Sequence, residues 1–209
     1  MGRVNTLPVV ATTDSLVIRQ QKEMLEIVTD FETKNRYEID LPDGRTIMHA
    51  MELGQGGWEW LRRNFLNTKR PFHIELSDER GQDVMHLHRP WRWLFSRVEV
   101  LDGNRAPIGA IQQRFSILSR RFSVLDPSGT EIAILHGPLL RPWTFRVMVR
   151  GQEVGKITKE WSGLLREAFT DADTFGVQFG PGMDPRLRSL ALAATFLIDF
   201  LYFERKNNQ

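Results

Sequence analysis

The feature that most constrains this chain is a largely apolar run near its C-terminus, from Leu187 through Phe203, opened by Asp184-Pro185. An aspartate before a proline is a helix start. The carboxylate accepts from the free N–H groups of the first turn, and proline fits the first helical position. Beyond Arg188 the run has no polar stripe at 3.6-residue spacing. A helix hydrophobic on every face is either a membrane span or enclosed by protein. From Ser189 to Phe203 it covers about 22 Å at 1.5 Å per residue, and Asp199 interrupts it. A span needs about 20 apolar residues and strongly disfavours a carboxylate at mid-depth. The run therefore reads as a core helix over 185–204, with Leu190, Phe196, Leu197 and Phe200 as its main buried side chains. Asp199, in such a setting, needs a partner; a barrel arginine is the expected one.

An enclosed helix needs a wall, and the upstream text supplies one. Short apolar runs alternate with turn signals: Pro42-Asp43-Gly44, Asp78-Glu79-Arg80-Gly81, Asp102-Gly103-Asn104, Asp126-Pro127-Ser128-Gly129 and Arg150-Gly151-Gln152. Each joins two stretches that read as strands, for example Phe72–Leu76 with Val84–Leu87. About a dozen strands at this spacing predict a sandwich or barrel, and closure removes the exposed edges of so large a sheet. The fold class expected is mainly β: a closed antiparallel barrel of about twelve strands around the C-terminal helix. Residues 1–13 read as a flexible N-terminal segment, and 14–206 as a single domain.

Composition narrows function. Twenty-eight Lys and Arg against 26 Asp and Glu leave a net charge of +2, too small to point to nucleic acid. With no cysteine, the sequence offers no disulfide, thiolate metal site, thiol nucleophile or acylated thiol. Spacing shows no nucleophile–base–acid set, phosphate loop or carboxylate dyad, and no covalent chemistry is expected. His86 and His88 share one strand face, but without a third ligand at motif spacing they read as solvated strand histidines.

Several segments resemble the phospholipid scramblase family. They are Gly155–Phe179, which includes Trp161-Ser162-Gly163-Leu164-Leu165-Arg166-Glu167, and Phe196-Leu197-Ile198-Asp199-Phe200 with Phe203-Glu204. Upstream, Met24–Thr33, Asn35–Ile39 and Arg70-Pro71-Phe72 also match, so the likeness runs from about Ser15 to Glu204. The resemblance implies a tubby-like barrel and ATP-independent, bidirectional movement of phospholipids between leaflets. The alternative is a soluble or peripheral lipid- or phosphoinositide-binding module without transport. Attachment to membranes from the cytoplasmic side is expected, since the N-terminus lacks the apolar core of a signal peptide.

The resemblance also implies calcium at the twelve residues beginning with Asp171. Asp171, Asp173 and Gly176 fit the opening of an oxygen-ligand loop, with Asp184 nearby. The twelfth place, where the family has aspartate, is Gly182. Hard cations want six to eight oxygens, so only a weak calcium site is expected.

Tryptophan placement is the other departure. Trp58, Trp60, Arg62 and Arg63 fall in one connection, Trp91, Arg92 and Trp93 in a second, and Arg141 and Trp143 in a third. Many animal members carry cysteine clusters in these connections. Tryptophan favours the headgroup region and arginine meets lipid phosphate, so these residues predict contact with a phospholipid surface rich in anionic lipid. Aromatic packing at a barrel mouth, with solvated arginines, is the equal alternative.

Overall fold

A computed structural model describes residues 7–21, 35–53, 71–159 and 174–203. Its architecture follows from the turn residues. Asp78, Asp102 and Asp126 each end a strand and turn their Oδ1 back to accept from two backbone N–H groups, two and four residues on, at 2.8–2.9 Å. These local bonds favour a tight reversal. Gly81 and Gly129 then take the positive φ that closes the turn, at 75° and 86°.

The strands so connected are β1 (Ser15–Gln21), β2 (Arg36–Asp40), β3 (Thr46–Glu52), β4 (Phe72–Asp78), β5 (Asp83–Arg89) and β6 (Arg97–Asp102). They continue as β7 (Pro107–Arg114), β8 (Ser119–Leu125), β9 (Glu131–Pro138), β10 (Thr144–Val149), β11 (Gln152–Thr158) and β12 (Thr174–Phe179). Every strand pairs antiparallel with its sequence neighbours, and β1 pairs with β12, with Val17 opposite Gly176, to close the barrel. The expected closed twelve-stranded barrel is what forms. Alternation sets the faces: in β4, Phe72, Ile74 and Leu76 point inward and are buried, with His73 and Glu75 between them on the outside. The outer wall carries ion pairs, Arg19–Glu38 at 3.4 Å, Arg97–Glu99 at 3.7 Å and Arg146–Glu153 at 3.4 Å.

Two helices complete the described fold, α1 (Pro8–Thr12) and α2 (Pro185–Tyr202). Asp184 caps α2, accepting from the N–H groups of Arg186 and Leu187 at 2.9 and 3.3 Å. Leu190, Leu197 and Phe196 are at most 1% exposed and Phe200 is 5% exposed, so α2 is the core the barrel encloses. Burying four such side chains contributes about 1.5–3 kcal/mol each.

Within the segment expected to be flexible, Pro8–Thr12 form helix α1, with Val10 fully buried. The Arg188 guanidinium holds it there, donating to the carbonyls of Val10 and Thr13. This anchor lies more than 170 residues away, beyond any local reading. Among the described residues, Asp199 pairs with the Lys159 ammonium at 3.8 Å and accepts from the Tyr37 hydroxyl at 2.9 Å.

Candidate membrane-docking site

Because strands alternate in direction, the connections fall into two sets at opposite ends of the barrel. One end holds the tight turns Pro42–Arg45, Glu79–Gln82 and Pro127–Thr130, all exposed and polar or proline and glycine. The other end holds β5–β6, β7–β8 and β9–β10, three connections that are neighbours around the rim. Nine of the eleven large hydrophobic side chains exposed among the described residues sit on these three. They are Trp91, Trp93, Leu94 and Phe95; Phe115, Ile117 and Leu118; and Leu139 and Leu140, with Leu118 82% and Leu140 96% exposed. Apolar side chains scattered singly over a surface need no explanation, whereas a contiguous set marks a contact.

The roots of these connections are fixed, so the apolar tips are held out. In β5–β6, Arg89 donates to the Ser96 hydroxyl at 2.7 Å, and its buried guanidinium lies 4.7 Å from the Phe200 ring centre. The Ser96 N–H donates to the Gln113 side-chain carbonyl at 3.2 Å, which ties β5–β6 to β7. In β7–β8, the Ser116 and Ser119 hydroxyls are 2.8 Å apart and bridge the reversal. In β9–β10, the Arg120 guanidinium donates to the carbonyls of Pro142, Arg141 and Pro138 at 2.7, 3.2 and 3.4 Å. It also stacks 4.4 Å from Phe145 and 5.0 Å from Tyr202. Burial lowers the Arg120 pKa from its ordinary value, partly offset by Tyr202, and burial raises that of Tyr202. Arg120 is thus a clamp within the fold.

The residues singled out in the sequence separate cleanly. Trp91 and Trp93 lie at the exposed rim with rings 5.8 Å apart; Arg92 is exposed between them in the chain, and Arg141 is exposed on the β9–β10 connection. Trp143 turns the other way. It stacks on Phe203 at 5.1 Å and 20° between planes, half-buried against the core, so it belongs to packing and not to the rim. Trp58, Trp60, Arg62 and Arg63 lie outside the described residues, although the strand ends that flank them, Glu52 and Phe72, are at this same end. Leu94, Phe95, Phe115, Ile117, Leu118, Leu139 and Leu140 were missed. The signal for β7–β8 was in plain text: Phe115-Ser116-Ile117-Leu118 joins two strands without one glycine, proline, asparagine or aspartate.

Of the expected calcium set, only Asp184 is among the described residues. Asp171 and Asp173 lie outside the described residues, but Thr174 and Asp184 are separated by all of β12. Six strand residues span about 20 Å. Asp184 is committed to capping α2 at the tight-turn end, and Gly182 sits in a turn at φ 73° without a carboxylate. Among the described residues, the donors that do converge are His73, Glu75 and His86 on the outer wall.

Comparison with known proteins accords with this geometry. The family model described as Scramblase matches residues 2–205. Phospholipid scramblase 1 of Mus musculus is 34% identical over 217 residues, covering 97% of this chain and 65% of that protein. Phospholipid scramblase 1 of Homo sapiens is 33% identical over 210 residues, covering 94% and 65%. Phospholipid scramblase 2 of Homo sapiens is 32% identical over 206 residues, covering 92% and 68%. The chain thus spans about two thirds of the length of these relatives, slightly less for the two phospholipid scramblase 1 proteins, at 65% each. The X-ray structure of a protein from Arabidopsis thaliana, 12% identical, superposes over 100% of both chains with a TM-score of 0.53 and shares the tubby-like fold. With the family model matched over nearly its whole length, the chain belongs to the Scramblase family.

Proposed function

We propose that this protein acts on phospholipid membranes as a scramblase-like protein, docking through the β5–β6, β7–β8 and β9–β10 end and promoting ATP-independent, bidirectional movement of phospholipids between leaflets. The observation that carries this reading is the polarity of the barrel: among the described residues, one end exposes nine large apolar side chains, and the other presents the turns Pro42–Arg45, Glu79–Gln82 and Pro127–Thr130. Large apolar side chains beside Arg92 and Arg141 suit the boundary between headgroups and acyl chains, where tryptophan anchors and arginine meets phosphate. The relatives named phospholipid scramblases support the lipid as substrate. A preference for anionic lipid, and attachment from the cytoplasmic side, belong to the same proposal.

A second reading, lipid binding without transport, is favoured by a specific observation. The lumen is filled by α2, and the wall carries ion pairs where a membrane barrel needs an apolar band. No helix among the described residues is long and apolar enough to cross a membrane. Reconstitution into liposomes carrying a dye-labelled phospholipid separates the two. The proposal expects loss of label protection in the inner leaflet without ATP. Full protection in vesicles that demonstrably bind the protein would leave the binding module alone.

A further inference from the structure

We propose that His73, Glu75 and His86, on the outer face of the β4–β5 hairpin, form a binding site for a zinc-class divalent ion. Strand pairing assembles it. Glu75 lies directly opposite His86, and His73 opposite His88, so alternation puts all four side chains on the same side of the wall. The Glu75 Oε1 is 3.5 Å from the His86 Nδ1 and 3.8 Å from the His73 Nε2, and all three donor atoms lie within 4.8 Å of one another. Around a tetrahedral zinc ion with bonds of 2.0–2.1 Å, donors sit about 3.3 Å apart. Small rotations of the half-buried His73 and Glu75 side chains close the remaining gap.

An independent observation points to a ligand. His86 is only 3% exposed, and its Nδ1 has no hydrogen-bond partner among the described residues. The nearest Glu75 oxygen, 3.5 Å away, makes an ion-pair contact with this nitrogen and no hydrogen bond. Buried polar atoms in native structures are nearly always satisfied. An ion seated between the three donors satisfies it and neutralises Glu75. Burial lowers the His73 pKa, with His86, His88 and Arg105 acting in the same direction and Glu75 opposing.

The donor set selects the ion. Two imidazole nitrogens and one carboxylate suit zinc and its neighbours, while calcium and magnesium want oxygen. Three protein ligands leave a fourth position, open to water or to His88, whose ring centre is 6.2 Å from that of His73.

The test is calorimetric titration of the full chain with zinc chloride alone, alongside E75Q, H73A and H136A. His136 lies on β9, on another part of the wall. The expected result is one zinc per chain, weakened at least ~10-fold by E75Q and by H73A, since even outer-shell changes cost that much, and unaltered by H136A or by excess calcium. E75Q is nearly isosteric, and an unchanged melting temperature without metal establishes that it folds. Failure of the wild-type chain to bind zinc with this stoichiometry, or equal binding by folded E75Q and H73A, overturns the proposal. Neither outcome depends on lipid, so this result stands apart from membrane docking.

Discussion

The Tyr37 hydroxyl on the barrel wall donates across 2.9 Å to the carboxylate of Asp199 in the enclosed helix. The same carboxylate faces the Lys159 ammonium, itself 4.9 Å from the Phe175 ring centre and 4.6 Å from that of Phe203. A polar group inside an apolar lumen fixes the rotation and depth of α2, because sliding the helix would strand a buried charge. Tyr37→Phe is expected to cost about 1–3 kcal/mol, the penalty for removing one partner of a buried hydrogen bond. Asp199→Ala removes both the hydroxyl's acceptor and the counter-charge to Lys159 and is expected to cost more, about 3–5 kcal/mol. Urea unfolding of the two variants checks the order.

Strand β7 approaches α2 closely at Gly109. A methyl group there would meet the Leu125 carbonyl oxygen and come within 3.1–3.2 Å of the Leu190 side chain. Gly109→Ala is expected to destabilise through overpacking by about 1–3 kcal/mol. Leu197→Ala, which empties space in the same enclosed helix, is expected to cost about 2–5 kcal/mol. A melting temperature near wild type for both would mean that α2 is not held in the lumen.

Trp143 and Trp91 divide on burial. Trp143→Ala removes a ring stacked on Phe203 and is expected to cost about 2–4 kcal/mol, toward the range for a lost buried aromatic. Trp91→Ala with Trp93→Ala is expected to stay within about 0.5 kcal/mol per site, as exposed substitutions do. Thermal melts of the two variants give the comparison directly.

Much of this architecture is legible in the residues. Asp78, Asp102 and Asp126 mark reversals wherever a strand ends, because an aspartate bonding its own downstream N–H groups is a local event. The all-round apolar character of α2 announces enclosure, and an enclosed helix implies a closed wall. What spacing does not carry is pairing across the barrel. His73 and Glu75 join His86 only through the register of β4 with β5, so the histidine pair read from one strand lacked its third donor. Lys159 meets Asp199, and Arg188 meets Val10, over separations that only the closed barrel sets. The rim was half visible for a chemical reason. Tryptophan with arginine is conspicuous, whereas Leu139-Leu140 and Ile117-Leu118 look like strand text until the topology puts them in connections.

With Asp184 capping α2 and Gly182 lacking a carboxylate, any calcium affinity is expected in the millimolar range, the weak end of oxygen-ligand sites. Gly182→Asp is expected to add little, because β12 separates that turn from Thr174. Calorimetry showing micromolar calcium binding by the unaltered chain would contradict the assignment of Asp184 as a cap alone.

Docking through the β5–β6, β7–β8 and β9–β10 end is tested by flotation with liposomes. Trp93, Leu118 and Leu140, one from each rim connection, are replaced together by serine. Each contributes up to about 1.5–3 kcal/mol if it enters the acyl boundary, so their joint loss is expected to abolish flotation with anionic vesicles. The melting temperature is expected to stay near wild type. The wild-type protein is expected to float, and to float less as salt screens Arg92 and Arg141 over ~8–10 Å. A triple variant that folds and floats as fully as wild type would contradict the claim.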